Sequence, residues 1–158
     1  MAPLLEELMN LFTPVIPVCS KSPHAMRFGP SRATDVGYDL PIWLPCGSKY
    51  IASGHSVDLP TGVSIKLPHD VGARIISRSS THLKLHLDVY EGLIDPGYTG
   101  ELRICVANHT VEGIKVVDGQ RLAQVIFFPV IRPTLRFVDE LTVEDNERGN
   151  RGFGSTGS

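Results

Sequence analysis

The chain has no excess of charge of either sign, little cysteine, no long apolar run and no P-loop signature. Its 15 Lys and Arg stand against 17 Asp and Glu, a net charge of −2. That balance excludes a global basic field for nucleic acid, so a phosphorylated ligand must be held by local clusters. Three cysteines, Cys19, Cys46 and Cys105, lie far apart with no Cys-x-x-Cys. An odd, scattered count argues against a disulfide scaffold or a zinc site and suits a reducing, intracellular compartment. The sequon Asn108-His109-Thr110 is therefore read as chance. No apolar run reaches spanning length, which predicts a soluble chain with no membrane partner. Gly-x-x-x-x-Gly-Lys does not occur, so the P-loop cradle is missing, and the Gly-x-Gly-x-x-Gly spelled by Gly152 to Gly157 lacks the preceding apolar strand run that a dinucleotide fingerprint needs.

What is present is a β pattern. At 158 residues the chain has room for one domain with a substantial core. Beyond residue 13, short apolar or alternating runs sit between Gly, Pro, Asn and Asp: 15–18, 56–59, 62–67, 73–76, 85–89, 101–107, 114–117, 122–130 and 135–138. Strand starts roughly ten residues apart predict an all-β sandwich or jelly roll, not βαβ units. Residues 79–83 fit one helical turn, with Ser79 or Ser80 as its cap. Residues 1–13 form an extension. There Leu4, Leu5, Leu8 and Leu11 recur at helical spacing, while Glu6 and Glu7 and the lack of a basic start argue against a signal peptide. The globular body is expected over 14–141 and a glycine-rich arm over 142–158.

That arm ends Arg148-Gly-Asn-Arg-Gly-Phe-Gly-Ser-Thr-Gly-Ser158. It has no aliphatic side chain with which to pack a core. Glycine lets the backbone approach a ligand and present its N–H groups, Ser155 and Thr156 add hydroxyls, arginine adds a fork of donors, and Phe153 offers a flat face. By itself the segment is either a solvated tail or an arm that wraps a nucleotide.

Three internal segments carry chemistry. Arg78, Ser79 and Ser80 follow an apolar run, where they are either a helix start with a surface arginine or a phosphate contact. Gly92-Leu-Ile-Asp-Pro-Gly-Tyr-Thr-Gly-Glu101 is a tight turn between two strands. Asp95 and Tyr98 at its mouth are either turn residues or a proton acceptor and a sugar-packing ring. Gln124 interrupts an apolar run, so its amide must bond to backbone or to a ligand.

In this order the segments resemble the five motifs of the homotrimeric dUTPase family. They are Asp35-Val-Gly-Tyr-Asp-Leu40, Arg74-Ile-Ile-Ser-Arg-Ser-Ser80, Gly92-Leu-Ile-Asp-Pro-Gly-Tyr-Thr-Gly100, Gly119-Gln-Arg-Leu-Ala-Gln124 and Arg148 to Gly157. The resemblance runs from about residue 15 to the end. It implies a jelly-roll homotrimer, with active sites at subunit interfaces, that hydrolyses dUTP to dUMP and pyrophosphate with Mg²⁺.

By motif, Asp95 resembles the base that activates water, and Tyr98 the residue under the deoxyribose. The stretch from Val89 through Gly92 to Ile94 resembles the hairpin that reads uracil. Arg78, Ser79, Ser80 and Gln124 resemble phosphate ligands, and Asp39 the aspartate that holds Mg²⁺ through water. Phe153 resembles the ring that stacks on uracil, and Arg148, Gly154, Ser155 and Thr156 the grip on the γ-phosphate. The chain departs from the family at Val36, Ser77, Ser80, Gly97 and Gln120. Two alternatives stand beside the diphosphatase: a related deaminase or bifunctional dCTP deaminase–dUTPase, which would release ammonia from dCTP, and a dUTPase-like interaction module.

Overall fold

The computed structural model describes residues 13–139. The helix expected at the N-terminus, the arm over 142–158, and with it Arg148, Phe153, Gly154, Ser155 and Thr156, lie outside the described residues.

The described chain is almost entirely strand. In order the elements are β1 (Val18–Ser20), a 3-10 turn (Ala25–Arg27), β2 (Tyr38–Pro41), β3 (Ser48–Ile51), β4 (Ser56–Ile65), β5 (Val71–Ser77), α1 (Ser79–Leu85), β6 (Leu87–Val89), β7 (Gly92–Ile94), β8 (Glu101–Asn108), β9 (Ile114–Val117) and β10 (Arg121–Pro129). One sheet has the order β1-β4-β8-β6 and a second β2-β10-β5-β7, with β3 and β9 as a two-stranded ribbon. Every pairing is antiparallel. This is the expected all-β, jelly-roll-like sandwich.

Alternation explains the layers. Leu59, Val63 and Ile65 of β4, and Leu102, Ile104 and Val106 of β8, are buried at every second position. Ala73 and Ile75 of β5 and Ala123 and Val125 of β10 supply the facing layer, with Leu40, Ile42, Leu87 and Val116 closing the core. A side chain of this size contributes about 1.5–3 kcal/mol when fully buried. No helix of the described residues is long and apolar enough to cross a membrane.

Several boundaries differ from expectation. The runs 56–59 and 62–67 are one strand, β4, with its register broken between Pro60 and Ser64. Gly62 takes φ +68 there, against Trp43 and Ser22, a backbone state that favours glycine. The run 15–18 meets a strand only at Val18. The run 135–138 is not a strand, and Leu135 and Phe137 stand exposed. α1 is longer than one turn, and neither serine caps it. Arg78 holds the N-cap position without a side-chain bond, and Ser79 and Ser80 are helical. Leu85 belongs to this helix rather than to a strand. The polar or proline-bearing strands β2 and β3 escaped the hydrophobic pattern, because pairing with β10 and β9, rather than apolar alternation, defines them.

Candidate active site

The end of β5 turns into α1 over Arg78, and β2 and β10 run beside it. Their polar side chains converge because Gln124 pairs with Asp39 on one side and with Ile76 on the other. Asp39 is buried, at 5% exposure, yet carries a carboxylate. Its two oxygens are taken by two arginines: Arg78 Nε donates to Oδ1 at 2.6 Å and Arg121 Nη1 to Oδ2 at 2.7 Å. The Ser31 hydroxyl donates to Oδ2 as well, at 2.7 Å. Arg78 also donates from Nη1 to the Arg121 carbonyl at 3.0 Å. The carboxylate therefore fixes both guanidinium groups and leaves part of the Arg78 fork for a ligand.

Around these groups lies a cleft of about 520 Å³, lined among others by Ser31, Asp39, Arg78, Ser79, Ser80 and Gln124. The Gln124 amide donates to the Ser77 carbonyl at 3.2 Å. Its side chain lies across Gly37, where any Cβ would collide with it. The glycine in Asp35-Val-Gly-Tyr-Asp-Leu40 thus has a steric reason. Beneath the helix start, Thr81 is fully buried and its hydroxyl donates to the Leu122 carbonyl at 2.7 Å.

A second cleft, of about 450 Å³, is formed by Ile75, Gly92 to Asp95, Tyr98 and Glu101 to Arg103. Here the turn sets the geometry. Pro96 and Gly97 occupy its centre, Gly97 has φ +90, and the Tyr98 N–H donates to the Asp95 carbonyl at 3.2 Å. Pro followed by a positive-φ Gly is the signature of a type II turn. It leaves the Asp95 carboxylate exposed beside the Tyr98 ring. β7 pairs with β5 on one side and is the last strand of its sheet. The outward main-chain groups of an edge strand can read a flat polar ligand.

Of the expected residues, the structure brings Asp39, Arg78, Ser79, Ser80 and Gln124 together in the first cleft and Gly92, Ile94, Asp95 and Tyr98 in the second. Val89 ends β6 and lines neither. Ser31, Arg121, Glu101 and Arg103 were missed as site residues. Arg121 was visible inside Gly119-Gln-Arg-Leu-Ala-Gln124, but only the fold joins it to Asp39. The two clefts share no residue: Ile76 lines the first, while its neighbour Ile75, packed in the core, borders the second.

For a divalent ion, the described residues hold no group of three or more His, Cys, Asp or Glu able to cage it. The first cleft nevertheless offers hard oxygen donors: the Asp35 and Asp39 carboxylates, the Ser31 and Thr34 hydroxyls and the Gln124 amide. With the Asp39 oxygens already held by arginines, that donor set fits Mg²⁺ bound through water and through ligand phosphates.

Comparison with known proteins agrees with this chemistry. A sequence model of the dUTPase family matches residues 24–157. The chain is 43% identical over 125 residues to the deoxyuridine 5′-triphosphate nucleotidohydrolase of Crocosphaera subtropica, covering 78% of this chain and 84% of that one. It is 38% identical to the enzyme of the same name from Solanum lycopersicum, over 81% of this chain and 74% of that one. Among solved structures, a dUTPase of Staphylococcus bacteriophage 80alpha with dUpNHpp superposes with a TM-score of 0.83. That match has 25% identity and covers 92% of this chain and 100% of the phage chain. With the arginine–carboxylate cleft, the Asp95–Tyr98 turn and the family match over most of its length, the chain belongs to the dUTPase family, the deoxyuridine 5′-triphosphate nucleotidohydrolases.

Proposed function

We propose that the chain cleaves dUTP between the α- and β-phosphates by attack of an Asp95-activated water. The observation that carries this is the pair of clefts on β5. One has the donors a triphosphate needs, and the other has an exposed carboxylate on a rigid turn beside an aromatic ring. Asp95 accepts a proton from water. The water oxygen bonds to the α-phosphorus, and the bond to the bridging oxygen breaks, so pyrophosphate leaves and dUMP remains. Arg78, Ser79 and Gln124 donate to the phosphate oxygens on which charge builds, and Ser80 lies beside them. Asp39 and Gln124 would hold the waters of Mg²⁺, which when bound neutralises phosphate charge.

Selectivity follows from the second cleft. Main-chain groups from Gly92 to Ile94 match the uracil edge and mismatch cytosine, whose donor pattern is reversed. The Tyr98 ring lies under the deoxyribose and leaves no space for a 2′-hydroxyl. Phe153 stacks on the base, and Arg148, Gly154, Ser155 and Thr156 close over the γ-phosphate. Hydrolysis in the cell keeps uracil out of DNA and supplies dUMP for dTMP synthesis.

Since the two clefts share no lining residue, each complete site is read as joining the Arg78 cleft of one copy to the Asp95 cleft of another, in a closed trimer. Mixing Arg78→Ala with Asp95→Asn subunits tests this: activity returns in mixed assemblies, and its failure to return in a confirmed mixed assembly would place each site within one chain. Removing residues 148–158 leaves the assembly folded and turnover lost.

The decisive experiment is product analysis with Mg²⁺ and dUTP, dCTP, dTTP or UTP. The expected result is dUMP and pyrophosphate from dUTP alone. Ammonia from dCTP would assign a deaminase instead. No turnover by folded protein would leave an interaction module.

A further inference from the structure

Tyr98 sits on the turn at 46% exposure, so its ring is open to a ligand, yet its hydroxyl is not free. It donates to the Glu101 main-chain carbonyl at 2.9 Å. Glu101 is itself anchored at the start of β8. Its carboxylate Oε1 accepts the Thr61 and Gly62 N–H groups at 3.0 and 2.7 Å, and Oε2 accepts from Arg103 at 3.0 Å. The ring is thus held at its backbone by the turn and at its far end by a carbonyl fixed against β4.

The ring can reach that carbonyl only by lying across Gly100. A Cβ built on Gly100 would stand 2.5 Å from the Tyr98 Oη, 2.6 Å from Cζ and 3.0 Å from Cε2. All three atoms belong to the tyrosine side chain, and none is backbone. The Gly100 φ lies outside the left-handed region, so the main chain there accepts an L-residue. Glycine is required at this position for the tyrosine, not for the turn. A methyl group would swing the ring away and break its bond to Glu101 while leaving the hairpin folded.

We propose that Gly100 and the Glu101 carbonyl are positioning elements for sugar selection, acting through the Tyr98 ring. The proposal rests on the reading that Tyr98 lies under the deoxyribose. A ring fixed at both ends is a floor that cannot drop to admit a 2′-hydroxyl. A ring held only at its backbone can tilt, and UTP then enters. The carboxylate on the same turn is set by the Asp95 backbone, so the chemical step is spared.

The test measures kcat and KM for dUTP and UTP with full-length protein and Mg²⁺, in wild type, Gly100→Ala, Tyr98→Phe, the double variant and Tyr98→Ala. Gly100→Ala lowers the dUTP-over-UTP ratio of kcat/KM about tenfold, chiefly through KM, with kcat for dUTP kept. Tyr98→Phe, which loses only the hydroxyl, shifts the ratio the same way. The double variant is no worse than Gly100→Ala alone, because the methyl has already broken that bond. Tyr98→Ala abolishes the discrimination. If Tyr98→Ala keeps the wild-type ratio, the sugar reading itself falls and the proposal with it. If Tyr98→Ala abolishes the ratio but Gly100→Ala keeps it, the sugar reading stands and the proposal is overturned. Should Gly100→Ala fail to fold, Tyr98→Phe decides: an unchanged ratio overturns the proposal.

Discussion

On the Arg78 side of β5 the ligand-facing groups are long charged side chains, braced by a buried carboxylate. On the Asp95 side they are main-chain groups and one short acid, set by a turn. On the proposed reading, the contrast follows from what each half would recognise. Phosphate presents diffuse charge, which a fork of donors meets once desolvated and fixed. A base and a sugar present shape and a short donor pattern, which a rigid backbone meets better than a flexible side chain. The consequence is asymmetric fragility. A change in the first cleft strands a buried charge, so stability and affinity fall together. A change at Asp95 or Tyr98, both exposed, alters rate or selectivity and leaves the fold alone.

The largest effect expected is at the turn. Asp95→Asn should lower kcat about a thousandfold, with melting temperature and binding of dUpNHpp unchanged. Single-turnover kinetics and calorimetry check this, and a near-normal rate would remove Asp95 as the base. Asp39→Ala should do the reverse. It leaves Arg78 and Arg121 without their shared partner and costs about 3 kcal/mol in denaturant unfolding, with a raised KM for dUTP. Wild-type stability in that variant would erase the distinction between the two clefts.

Thr81→Val sharpens the same comparison one layer deeper. It removes the donor to the buried Leu122 carbonyl and should cost about 1–2 kcal/mol, read from urea melts, with the dUTP/UTP ratio unchanged.

The smallest effect lies outside both clefts. Asp118 accepts the Leu44 N–H at 2.6 Å and pairs with His24 Nε2 at 2.7 Å. The Leu44 amide first, and then His24, hold its carboxyl below the ordinary range. A lowered folded value means the stabilisation is complete above the unfolded carboxylate pKa, about 3.9, and is lost as pH falls through the folded value. The stability gap between wild type and Asp118→Asn should therefore be present at neutral pH and close in acid melts below about pH 4. A gap that persists there would show that the brace does not depend on ionisation.

Much of the site was legible one segment at a time. Asp95, Pro96, Gly97 and Tyr98 were read as a turn with a carboxylate at its mouth, and the structure places them so, because proline and glycine dictate backbone angles locally. The cluster of Arg78, Ser79 and Ser80 was read as either a helix start or a phosphate contact, and a helix does start there. Its capping was misjudged, since nothing local distinguishes the N-cap from the first helical residue. β2 was invisible as a strand because its exposed Tyr38 and charged, buried Asp39 break any apolar alternation. Val89 was grouped with the hairpin by the family resemblance, and it ends a strand of the other sheet.

The sequence by itself determined what is local: strand periodicity, turn chemistry, the glycine-rich arm and the order of the five motifs. Only tertiary structure decided which residues share a surface. Asp39 and Arg121 stand 82 positions apart and meet because β10 pairs with β2. Ile76 lines one cleft while its neighbour Ile75 packs in the core at the border of the other. Tyr98 needs Gly100 because a carbonyl anchored to β4 draws its ring across that position. Pairing register and packing are long-range, and a one-residue slip moves every side chain to the other face. That is why residue types alone leave these meetings undecided.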